Sequence, residues 1–381
     1  MVILTIAATL ATFAGAAYCV LCLAAGLRFK CGPAAGAVAG GLPAVSVLKP
    51  LKGADPELYA SLRSYCAQVY PDYEIIFGAS SRSDPAVAVA ERLQREFPER
   101  SIQVLICEHR LGSNGKISSL AQLVHKARHE ILVVSDSDIR AESNYLANVI
   151  SELHQPEMGM VTCLYRGVPA KNLFSTIEAI GISSDFVPGI LAARAVERTL
   201  RFGLGATLVL RRGALESIGG FESLVDYLAD DYELGRRIAG KGRKVFLSRS
   251  VVETFLPPYD WAQFFAHQLR WARTIRAARP GGYAGLLLTF AVPWAFMTVA
   301  LSRGAEWAWL LLGLSLLLRI LTGFIFGKVV LQGKNVIRSL WLIPIRDLLG
   351  VVIWIGGWVG NRIVWRGENF RLRKGKLEPM A

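Results

Sequence analysis

Long apolar runs stand at both ends of the chain, and shorter ones alternate with polar stretches in the middle. Val2 to Leu27 carries no charged residue and is about as long as a helix that crosses the hydrocarbon core of a bilayer. Comparable runs return after Tyr283, whereas the residues from about Pro43 to Pro280 have the composition of an ordinary globular domain. The pattern predicts an aqueous domain between membrane segments.

Basic residues follow the N-terminal apolar run instead of preceding it. A cleavable signal peptide usually begins with a basic segment and has a shorter apolar core, but this chain begins MVILT and has Arg28 and Lys30 after the run. The positive-inside rule then places the N-terminus outside and the following domain in the cytoplasm. We predict a transmembrane anchor over residues 1–30 and a Gly-, Ala- and Pro-rich linker from Cys31 to Leu42.

Predicted strands and helices alternate through the middle of the chain. AVSVL, YEIIFGAS, SIQVLIC and ILVVSDSD have the apolar, β-branched character of strands, and the Asp-Pro pairs at Asp55 and Asp84 suit helix starts. Such alternation predicts an α/β domain over residues 43–280, a mostly parallel sheet flanked by helices, of the nucleotide-binding kind. LFSTIEAIGISSDFVPGILAARAV, further along, is a long apolar helical stretch that suits the wall of an acceptor groove.

Two acidic pairs are candidates for chemistry. Asp136 and Asp138 follow a buried strand at the sheet edge where open α/β sheets bind ligands, so they suit a shared divalent cation. A solvated loop, or a helix cap at Asp138, fits the pattern as well. Asp230 and Asp231 stand at a helix entrance, which suits either the helix dipole alone or acid–base chemistry on a substrate.

The glycine-containing segment LGSNGKISSL lies between the third strand and its helix. Gly112 and Gly115 permit tight turns, and Lys116 begins a helix whose N-terminal amides suit a diphosphate. The spacing is not that of a Walker A motif. An ordinary turn with a solvated lysine is the alternative.

An aromatic and basic amphipathic helix, WAQFFAHQLRWARTIRAAR, precedes the C-terminal apolar runs and is typical of a helix in the headgroup layer. Two apolar stretches follow, Ala284 to Leu301 and Trp307 to Phe326, the latter with Arg319 inside it, which indicates burial against protein or a short segment. A third, Leu340 to Gly360, is interrupted by charged residues. Three crossings would leave the basic tail outside, against the positive-inside rule. The sequence therefore does not decide whether the C-terminal part crosses the membrane two or three times.

We therefore predict C-terminal membrane segments over residues 281–362 and a basic tail over residues 363–381. The net charge of +13, from 43 Lys and Arg against 30 Asp and Glu, suits nucleic acid, anionic lipid or an anionic substrate. Because many basic residues flank the apolar runs, we predict a membrane surface as the partner and no nucleic acid. The six cysteines form no metal-ligand pattern, which favours a reducing compartment.

Five short motifs in fixed order give the sequence a family resemblance. They are KPLKG (Lys49 to Gly53), LGSNGKI, SDSDI, ADDYELG and HQLRW. Together they resemble the ceramide glucosyltransferase family, and more narrowly its bacterial branch, the hopanoid-biosynthesis glycosyltransferases, over nearly the whole chain. The resemblance implies a GT-A fold, a UDP-sugar donor, a divalent cation (Mg²⁺ or Mn²⁺) and a lipid hydroxyl acceptor, with inversion at the anomeric carbon.

The resemblance also implies roles for the residues on the donor side. Lys49 and Pro50 fall where the family lines its nucleotide pocket, and Asn114 and Lys116 match its diphosphate loop. Relatives often have an aspartate near the uracil ring soon after the second strand. Here Ser81 stands at that place, and Asp84, the nearest carboxylate, suits either a donor contact or a helix cap.

The acidic pairs and the HQLRW motif receive roles in the same way. Asp136 and Asp138 match the metal and donor aspartates, with Asp138 the more direct ligand, and Asp231 matches the general base, with Asp230 beside it in the catalytic pair. The (Q/R)xxRW signature ends on Arg270 and Trp271. Its first position falls on His267, with Gln268 beside it. We assign these two residues, together with Arg270 and Trp271, to donor binding. The charge of the His267 imidazole is expected to depend on pH.

The resulting functional prediction is a multi-pass glycosyltransferase of a bacterial inner membrane, with its catalytic domain in the cytoplasm. The favoured reaction moves N-acetylglucosamine from UDP to a hopanoid polyol, and glucose transfer to ceramide or another lipid alcohol is the second choice. A processive polysaccharide synthase has similar motifs but is expected to have more membrane spans. The non-enzyme alternative is a membrane scaffold that has lost the chemistry, against which the intact acidic pairs argue.

Overall fold

The computed structural model describes residues 1–31, 41–155, 157–365 and 367–380. The chain divides into two compact units. The helical unit comprises Met1–Gly32, Arg166–Arg198 and Leu256–Gly367, and the sheet unit comprises Pro33–Tyr165, Thr199–Phe255 and Glu368–Ala381. Most of the predicted linker from Cys31 to Leu42 lies outside the described residues.

Eight strands form the main sheet in the order β3-β2-β1-β4-β7-β6-β8-β5. Their bounds are β1 Val45–Leu51, β2 Tyr73–Ala79, β3 Ser101–Ile106, β4 Ile131–Ser135, β5 Ile139–Arg140, β6 Met158–Pro169, β7 Thr207–Arg211 and β8 Lys244–Leu256. The helices of this unit are α2 Leu58–Cys66, α3 Pro85–Glu96, α4 Gly115–Val124, α5 Tyr145–Leu153, α8 Arg212–Glu216 and α9 Asp230–Gly240. The four strands and the helix starts predicted in the first half of the unit are confirmed.

The sheet is mixed, which corrects the prediction of a mostly parallel one. Strand β1 pairs in parallel with β2 and β4, and β2 pairs in parallel with β3. From β4 onward the pairing is antiparallel, between β4 and β7, β6 and β7, and β5 and β8. Strands β1, β2 and β4 are buried along their whole length, as the apolar runs of a parallel sheet covered on both faces should be.

The helical unit contains long apolar helices and one short strand. Its elements are α1 Val2–Cys31, α6 Leu173–Gly181, α7 Val187–Glu197, α10 Trp261–Ala278, α11 Pro280–Gly285, α12 Ala291–Leu301, α13 Glu306–Phe324, α14 Ile343–Trp358 and β9 Arg362–Trp365. A π-helical turn, Ile182–Phe186, joins α6 to α7, and a second one, Ile325–Val330, extends α13.

Four helical segments in the described residues are long and apolar enough to cross a membrane. They are Val2–Cys31, Leu173–Glu197, Glu306–Val330 and Ile337–Trp358, and a bent pair, Pro280–Thr289 and Ala291–Leu301, meets the same test as a broken span with a bend of 52°. The segments predicted as an N-terminal anchor and as two to three C-terminal membrane segments are thus helices that are long and apolar enough to cross a membrane. The apolar stretch proposed to line an acceptor groove is itself long enough to span.

Small residues let α1 approach its neighbours closely. A Cβ atom on Gly15 would lie 2.6 Å from the Ala291 backbone of α12, and one on Gly26 would lie 2.8 Å from the Phe326 ring. The hydroxyl groups of Thr12 and Thr298 are 3.2 Å apart across the same contact. Small and hydroxyl-bearing residues are the usual means by which helices pack in lipid.

A buried ion cluster joins α13, α14 and the first π-helical turn. The Arg319 Nε and Nη2 atoms donate to the two Asp347 carboxylate oxygens at 2.9 and 2.5 Å. Nη2 also donates to Asp185 at 2.6 Å, and Nη1 donates to the Ser184 carbonyl at 2.7 Å. The sequence left two explanations for Arg319, burial against protein or a short segment, and the structure shows Arg319 buried against protein.

The basic tail contains a β-hairpin that the sequence did not predict. Strands β10, Glu368–Arg373, and β11, Lys376–Pro379, pair antiparallel and are called the tail hairpin below. Lys374 and Gly375 link them with φ angles of 49° and 80°, as the two-residue turns favoured in hairpins require. Phe370, Leu372 and Leu377 are buried, so the alternating apolar positions of the tail form an inner face.

Candidate active site

The carboxyl ends of β1 and β4 form the switch point of the sheet. The chain passes from β1 to β2 and β3 on one side and then returns to β4 on the other side. Open α/β sheets bind ligands outside the strand ends at such a point. Lys49 lies on β1, and Asp136 and Asp138 follow directly after β4.

Lys49 is completely buried beneath this edge. Its ammonium group donates to the Asp136 carbonyl at 2.8 Å and to the Ser135 hydroxyl at 3.2 Å, and lies 3.7 Å from the centroid of the Tyr65 ring. Burial lowers the pKa of Lys49 to about 7, although the carboxylates of Asp138 and Asp136 act to raise it. Lys49 therefore holds the backbone of the SDSD turn, and a nucleotide contact by Lys49 stays a prediction.

Lys116, in the first turn of α4, bridges the two acidic pairs. Its ammonium group lies 2.7 Å from Asp136 Oδ1 and 3.3 Å from Asp230 Oδ2. Burial disfavours its charge, but the two carboxylates outweigh burial and raise the pKa of Lys116 above its ordinary value. The structure thus brings three of the predicted residues together, with the carboxylates of Asp136 and Asp230 both in contact with the Lys116 ammonium group.

Asn114 fixes the start of α4 and ties it to the second acidic pair. It is the N-cap residue, and its side-chain oxygen accepts from the Ile117 amide at 3.2 Å. Its amide nitrogen donates to the Tyr227 carbonyl at 2.8 Å and to Asp230 Oδ1 at 3.3 Å. Asn114 therefore binds one carboxylate oxygen of Asp230, Oδ1, while Lys116 contacts the other, Oδ2.

Asp138 has a hydrogen-bond partner on β8. Its Oδ2 atom accepts from the Thr254 hydroxyl at 2.7 Å. Burial, reinforced by the nearby Asp136 carboxylate, raises the pKa of Asp138. The antiparallel register that pairs Ile139 with Thr254 creates this contact.

Asp231 follows Asp230 in the first turn of α9. Burial, reinforced by the Asp230 carboxylate, raises the pKa of Asp231 to about 7, while the Lys116 ammonium acts to lower it. Its Oδ1 accepts from the Tyr232 amide at 2.8 Å. A carboxylate with a pKa near the working pH is suited to accept and release a proton.

The glycine-rich turn before β7 packs directly against Asp231. A Cβ atom on Gly205 would lie 3.1 Å from Asp231 Oδ2, and one on Gly203 would lie 2.8 Å from the Asp231 carbonyl oxygen. The Gly203 amide donates to that carbonyl at 3.1 Å. The small residues of GLGAT thus allow the backbone to approach the carboxylate, and their spacing is the signal by which this contact could have been anticipated.

Asp84 and Pro50 both have structural roles within the protein. Asp84 is the N-cap of α3, where its Oδ1 accepts from the Ala86 amide at 2.9 Å and from the Gly53 amide at 3.0 Å. It therefore fixes the end of the KPLKG segment. Pro50 lies in β1 opposite Gly78 of β2. Donor contacts by Asp84 and Pro50 stay predictions.

The four residues of the HQLRW motif that are assigned to donor binding lie on α10, in the helical unit. His267 Nδ1 is 2.8 Å from the Tyr259 hydroxyl and 3.4 Å from a carboxylate oxygen of Glu178, a buried residue of α6 that the sequence did not single out. Gln268 is buried, and the Trp271 ring packs against His267. Their assignment to donor binding, together with that of Arg270, stays a prediction.

Further along α10, arginines cap the end of the last apolar helix. Arg273 donates to the carbonyls of Val359 and Arg362 at 2.9 and 2.6 Å, and Arg276 donates to the carbonyl of Gly360 at 3.3 Å. Basic side chains at the C-terminus of a helix satisfy its free carbonyls and oppose its dipole. These two arginines thus have partners within the protein as well as a position next to apolar segments.

The donor set for a metal ion consists of two carboxylates. Within the residues that the structure describes, no three His, Cys, Asp or Glu side chains gather as a metal-binding group. Asp136 and Asp138 supply hard oxygen donors, and Mg²⁺ is often bound through one or two carboxylates together with substrate phosphates. The residues therefore fit a divalent cation that binds with a diphosphate.

Two curated relatives from Caenorhabditis elegans align with much of the chain. Ceramide glucosyltransferase 1 is 23% identical over 350 residues, which are 88% of this chain and 72% of the relative. Ceramide glucosyltransferase 3 is 25% identical over 63% of this chain, and the chain spans only about half of its length (52%).

Solved structures and family models give the fold and the family. A mannosyltransferase from Pyrobaculum calidifontis, solved with GDP-Man and Mn²⁺, superimposes with a TM-score of 0.56 and 20% identity over 92% of this chain and 98% of that one. At this identity the likeness concerns the fold, and the predicted GT-A fold is confirmed. The family model described as Glycosyl transferase family 21 matches residues 4–378. The chain therefore belongs to glycosyl transferase family 21.

Proposed function

We propose that the protein transfers a sugar from a UDP-sugar to the hydroxyl group of a lipid, with inversion at the anomeric carbon. The observation that carries the proposal is the arrangement of Lys116 between Asp136 and Asp230, with the high-pKa carboxyl group of Asp231 next in the chain. A positive charge where a diphosphate would develop negative charge, and a base beside it, are the two parts that this reaction needs.

In the proposed reaction Asp231 accepts the proton of the lipid hydroxyl. The oxygen atom attacks the anomeric carbon from the face opposite the diphosphate, a new C–O bond forms, and the bond between that carbon and the diphosphate oxygen breaks. The electron pair of the broken bond leaves on UDP. Lys116 stabilises the added charge on the diphosphate, and Asp230 and Asn114 hold Lys116 and the entrance of α9 in place.

A divalent cation fits the same site. Asp136 and Asp138 would hold it, and when bound it would neutralise diphosphate charge. Mn²⁺ accompanies GDP-Man in the related mannosyltransferase structure, which supports a divalent ion without choosing between Mg²⁺ and Mn²⁺.

The residues of HQLRW keep the donor-binding roles that the motif resemblance implies. We assign Arg270 to the diphosphate charge, and His267, Gln268 and Trp271 to contacts with the donor, on the strength of the motif resemblance. Glu178 is added as a positioning residue, because its buried carboxylate lies beside the imidazole of His267.

For the substrates, the first pairing is N-acetylglucosamine with a hopanoid polyol, on the resemblance of the five motifs to the bacterial branch. Glucose with ceramide is the second, and it is supported by the names of the two Caenorhabditis elegans relatives. Both acceptors present a hydroxyl group on an apolar body. We place the enzyme in a bacterial inner membrane with the sheet unit in the cytoplasm, in agreement with the basic residues Arg28 and Lys30 in the last turn of α1.

A purified-protein assay tests the proposal. The full chain in detergent or lipid nanodiscs is given UDP-N-acetylglucosamine, UDP-glucose or GDP-mannose, each with a hopanoid polyol, ceramide or a sterol. A glycolipid product with an inverted anomeric centre and equimolar UDP is the expected result, and chelation of divalent ions should stop its formation. UDP release without any glycolipid would favour the inactive-scaffold alternative instead.

A further inference from the structure

Residues 225–229, called the approach loop here, lead from the 3₁₀ turn Phe221–Leu224 into α9, where the catalytic pair begins. One side of this loop is bound to the LGSNGK segment. The Val225 carbonyl accepts from the Asn114 amide at 2.6 Å, and the Tyr227 carbonyl accepts from the Asn114 side chain at 2.8 Å. Asp226 Oδ1 accepts from the Ser113 amide at 3.0 Å.

The other side of the approach loop is bound to the tail hairpin. The Leu377 amide donates to the Asp226 carbonyl at 2.7 Å, and the Leu228 amide donates to the Gly375 carbonyl at 3.1 Å. Between these two bonds, the Lys376 ammonium lies 5.3 Å from the centroid of the Tyr227 ring. Strand β11 thus adds a short antiparallel edge to the loop that precedes Asp230.

We propose that the tail hairpin is a positioning element of the active site, one that holds the approach loop so that Asp230 and Asp231 keep their places beside Lys116. Without the hairpin, the Asp226 carbonyl and the Leu228 amide would lose their partners, and the approach loop would be held from one side only. A displacement of about 1 Å at a reacting group can lower a rate about 100-fold. The proposal rests on the proposed function in one respect, the role of Asp231 as the base.

The geometry of the hairpin permits a selective test. Arg373 and Lys376 flank the two-residue turn and form its hydrogen-bonded pair, so the next pair, Leu372 and Leu377, is of the non-hydrogen-bonded kind and the Leu377 amide points out of the hairpin. Leu377→Pro therefore removes the bond to Asp226 without removing a bond between β10 and β11. Leu377→Ala is the matched control, because it removes the buried side chain and keeps the amide.

Two measurements are made on the full-length protein in detergent. The first is steady-state transfer, which gives kcat and the KM for the UDP-sugar, and the second is amide hydrogen exchange over residues 221–232. We expect Leu377→Pro to lower kcat about tenfold or more relative to Leu377→Ala, with the donor KM changed less than threefold, and to speed exchange in the approach loop. A chain that ends at Trp365 should lose kcat about 100-fold. Arg371→Ala, an exposed change on the same hairpin, should leave both measurements unchanged.

Two outcomes would overturn the proposal. If exchange in the approach loop is the same in Leu377→Pro and Leu377→Ala, the hairpin does not hold the loop. If exchange in the approach loop rises in Leu377→Pro but kcat stays within twofold of that of Leu377→Ala, the contact between the hairpin and the loop has no catalytic consequence. Absence of transfer by the unmodified chain would instead count against the proposed function, and the exchange measurement would still decide whether the hairpin holds the loop.

Discussion

Two clusters in this molecule are built on the same plan, a cation between two aspartates, and they differ in how completely the cation is satisfied. In the helical unit, Arg319 donates through all three guanidinium nitrogens to Asp347, Asp185 and Ser184, and its side chain is 7% exposed. In the sheet unit, Lys116 reaches Asp136 and Asp230 as a point charge with one contact to each, and its own side chain is 16% exposed.

The difference separates a structural ion cluster from a reactive one. The fork of Arg319 matches the carboxylate of Asp347 with two parallel bonds, which fixes distance and orientation together. The Lys116 ammonium makes one contact with each carboxylate, without a bidentate pair, and its side chain is more exposed than that of Arg319. We call the Lys116 cluster open and the Arg319 cluster closed in this sense. A closed cluster lowers the energy of one arrangement, whereas an open one can exchange an internal contact for a contact with substrate.

The largest expected effect concerns the carboxylate next to the open cluster. Asp231→Asn should lower kcat about 10⁴-fold, because the amide cannot take the proton of the attacking hydroxyl. UDP affinity, measured by calorimetry, should stay within about threefold, since Asp231 does not contact Lys116 directly. Asp72→Asn, an exposed change in the same unit, is the control. Retained transfer by Asp231→Asn would remove this residue from the base role.

The closed cluster should respond in stability and not in chemistry. Arg319→Met leaves the buried Asp347 carboxylate without its two hydrogen bonds from Arg319, which should lower the free energy of unfolding by about 3–5 kcal/mol. The measurement is the thermal unfolding midpoint in detergent, beside Arg338→Met, an exposed arginine of the same unit. Transfer per folded molecule should remain within about twofold. An unchanged midpoint would mean that the cluster contributes little to stability.

The open cluster should show the reverse pattern. Lys116→Met should lower kcat by about 100-fold, because no other side chain in the cluster supplies positive charge to the leaving diphosphate. Its unfolding midpoint should shift less than that of Arg319→Met, since Asp136 is partly hydrated and Asp230 keeps its bond to Asn114. Lys126→Met is the exposed control. A large loss of stability with normal kcat would make Lys116 a second structural cation.

The pH profile sharpens the same contrast. Burial and the Asp230 charge raise the pKa of Asp231 to about 7, so the basic carboxylate form is lost as the pH falls through that value. The ratio kcat/KM should therefore rise with pH through about 7. At one pH unit below that value it should be about tenfold lower than on its high-pH plateau. Wild-type protein is measured from pH 5.5 to 9, with UDP binding followed in parallel. A profile that is flat between pH 6 and 8 would contradict this assignment.

Much of the open cluster could be predicted because its signals are local. The run ILVV followed directly by SDSD indicates a strand end, and the glycines around Asn114 indicate a helix start at Lys116. The α/β pattern then brings both to one edge of the sheet. The contact of Asp138 with Thr254 could not be predicted, because it depends on an antiparallel register between distant strands.

The closed cluster and the tail hairpin escape prediction for the same reason. Arg319 meets Asp347 from 28 residues away and Asp185 from 134 residues away, so nothing local indicates the partners. The tail FRLRKGKLEP has alternating apolar residues around Lys374 and Gly375, a weak hairpin signal that its positive charge conceals. In both cases the partner is chosen by the tertiary fold.

The smallest expected effect tests what holds the proposed base, Asp231, in position beside the open cluster, where no arginine makes a bidentate contact. Gly205→Ala puts a Cβ atom 3.1 Å from Asp231 Oδ2, tighter than an ordinary van der Waals contact, so the carboxylate must move by a few tenths of an ångström. We expect kcat to fall about threefold to tenfold, in proportion to this small displacement. Gly240→Ala, at the end of α9, is the matched control, because its Cβ would meet nothing within 4 Å. Equal kcat values for the two variants would show that the position of Asp231 tolerates such a shift, and that close backbone packing is not what orients the base.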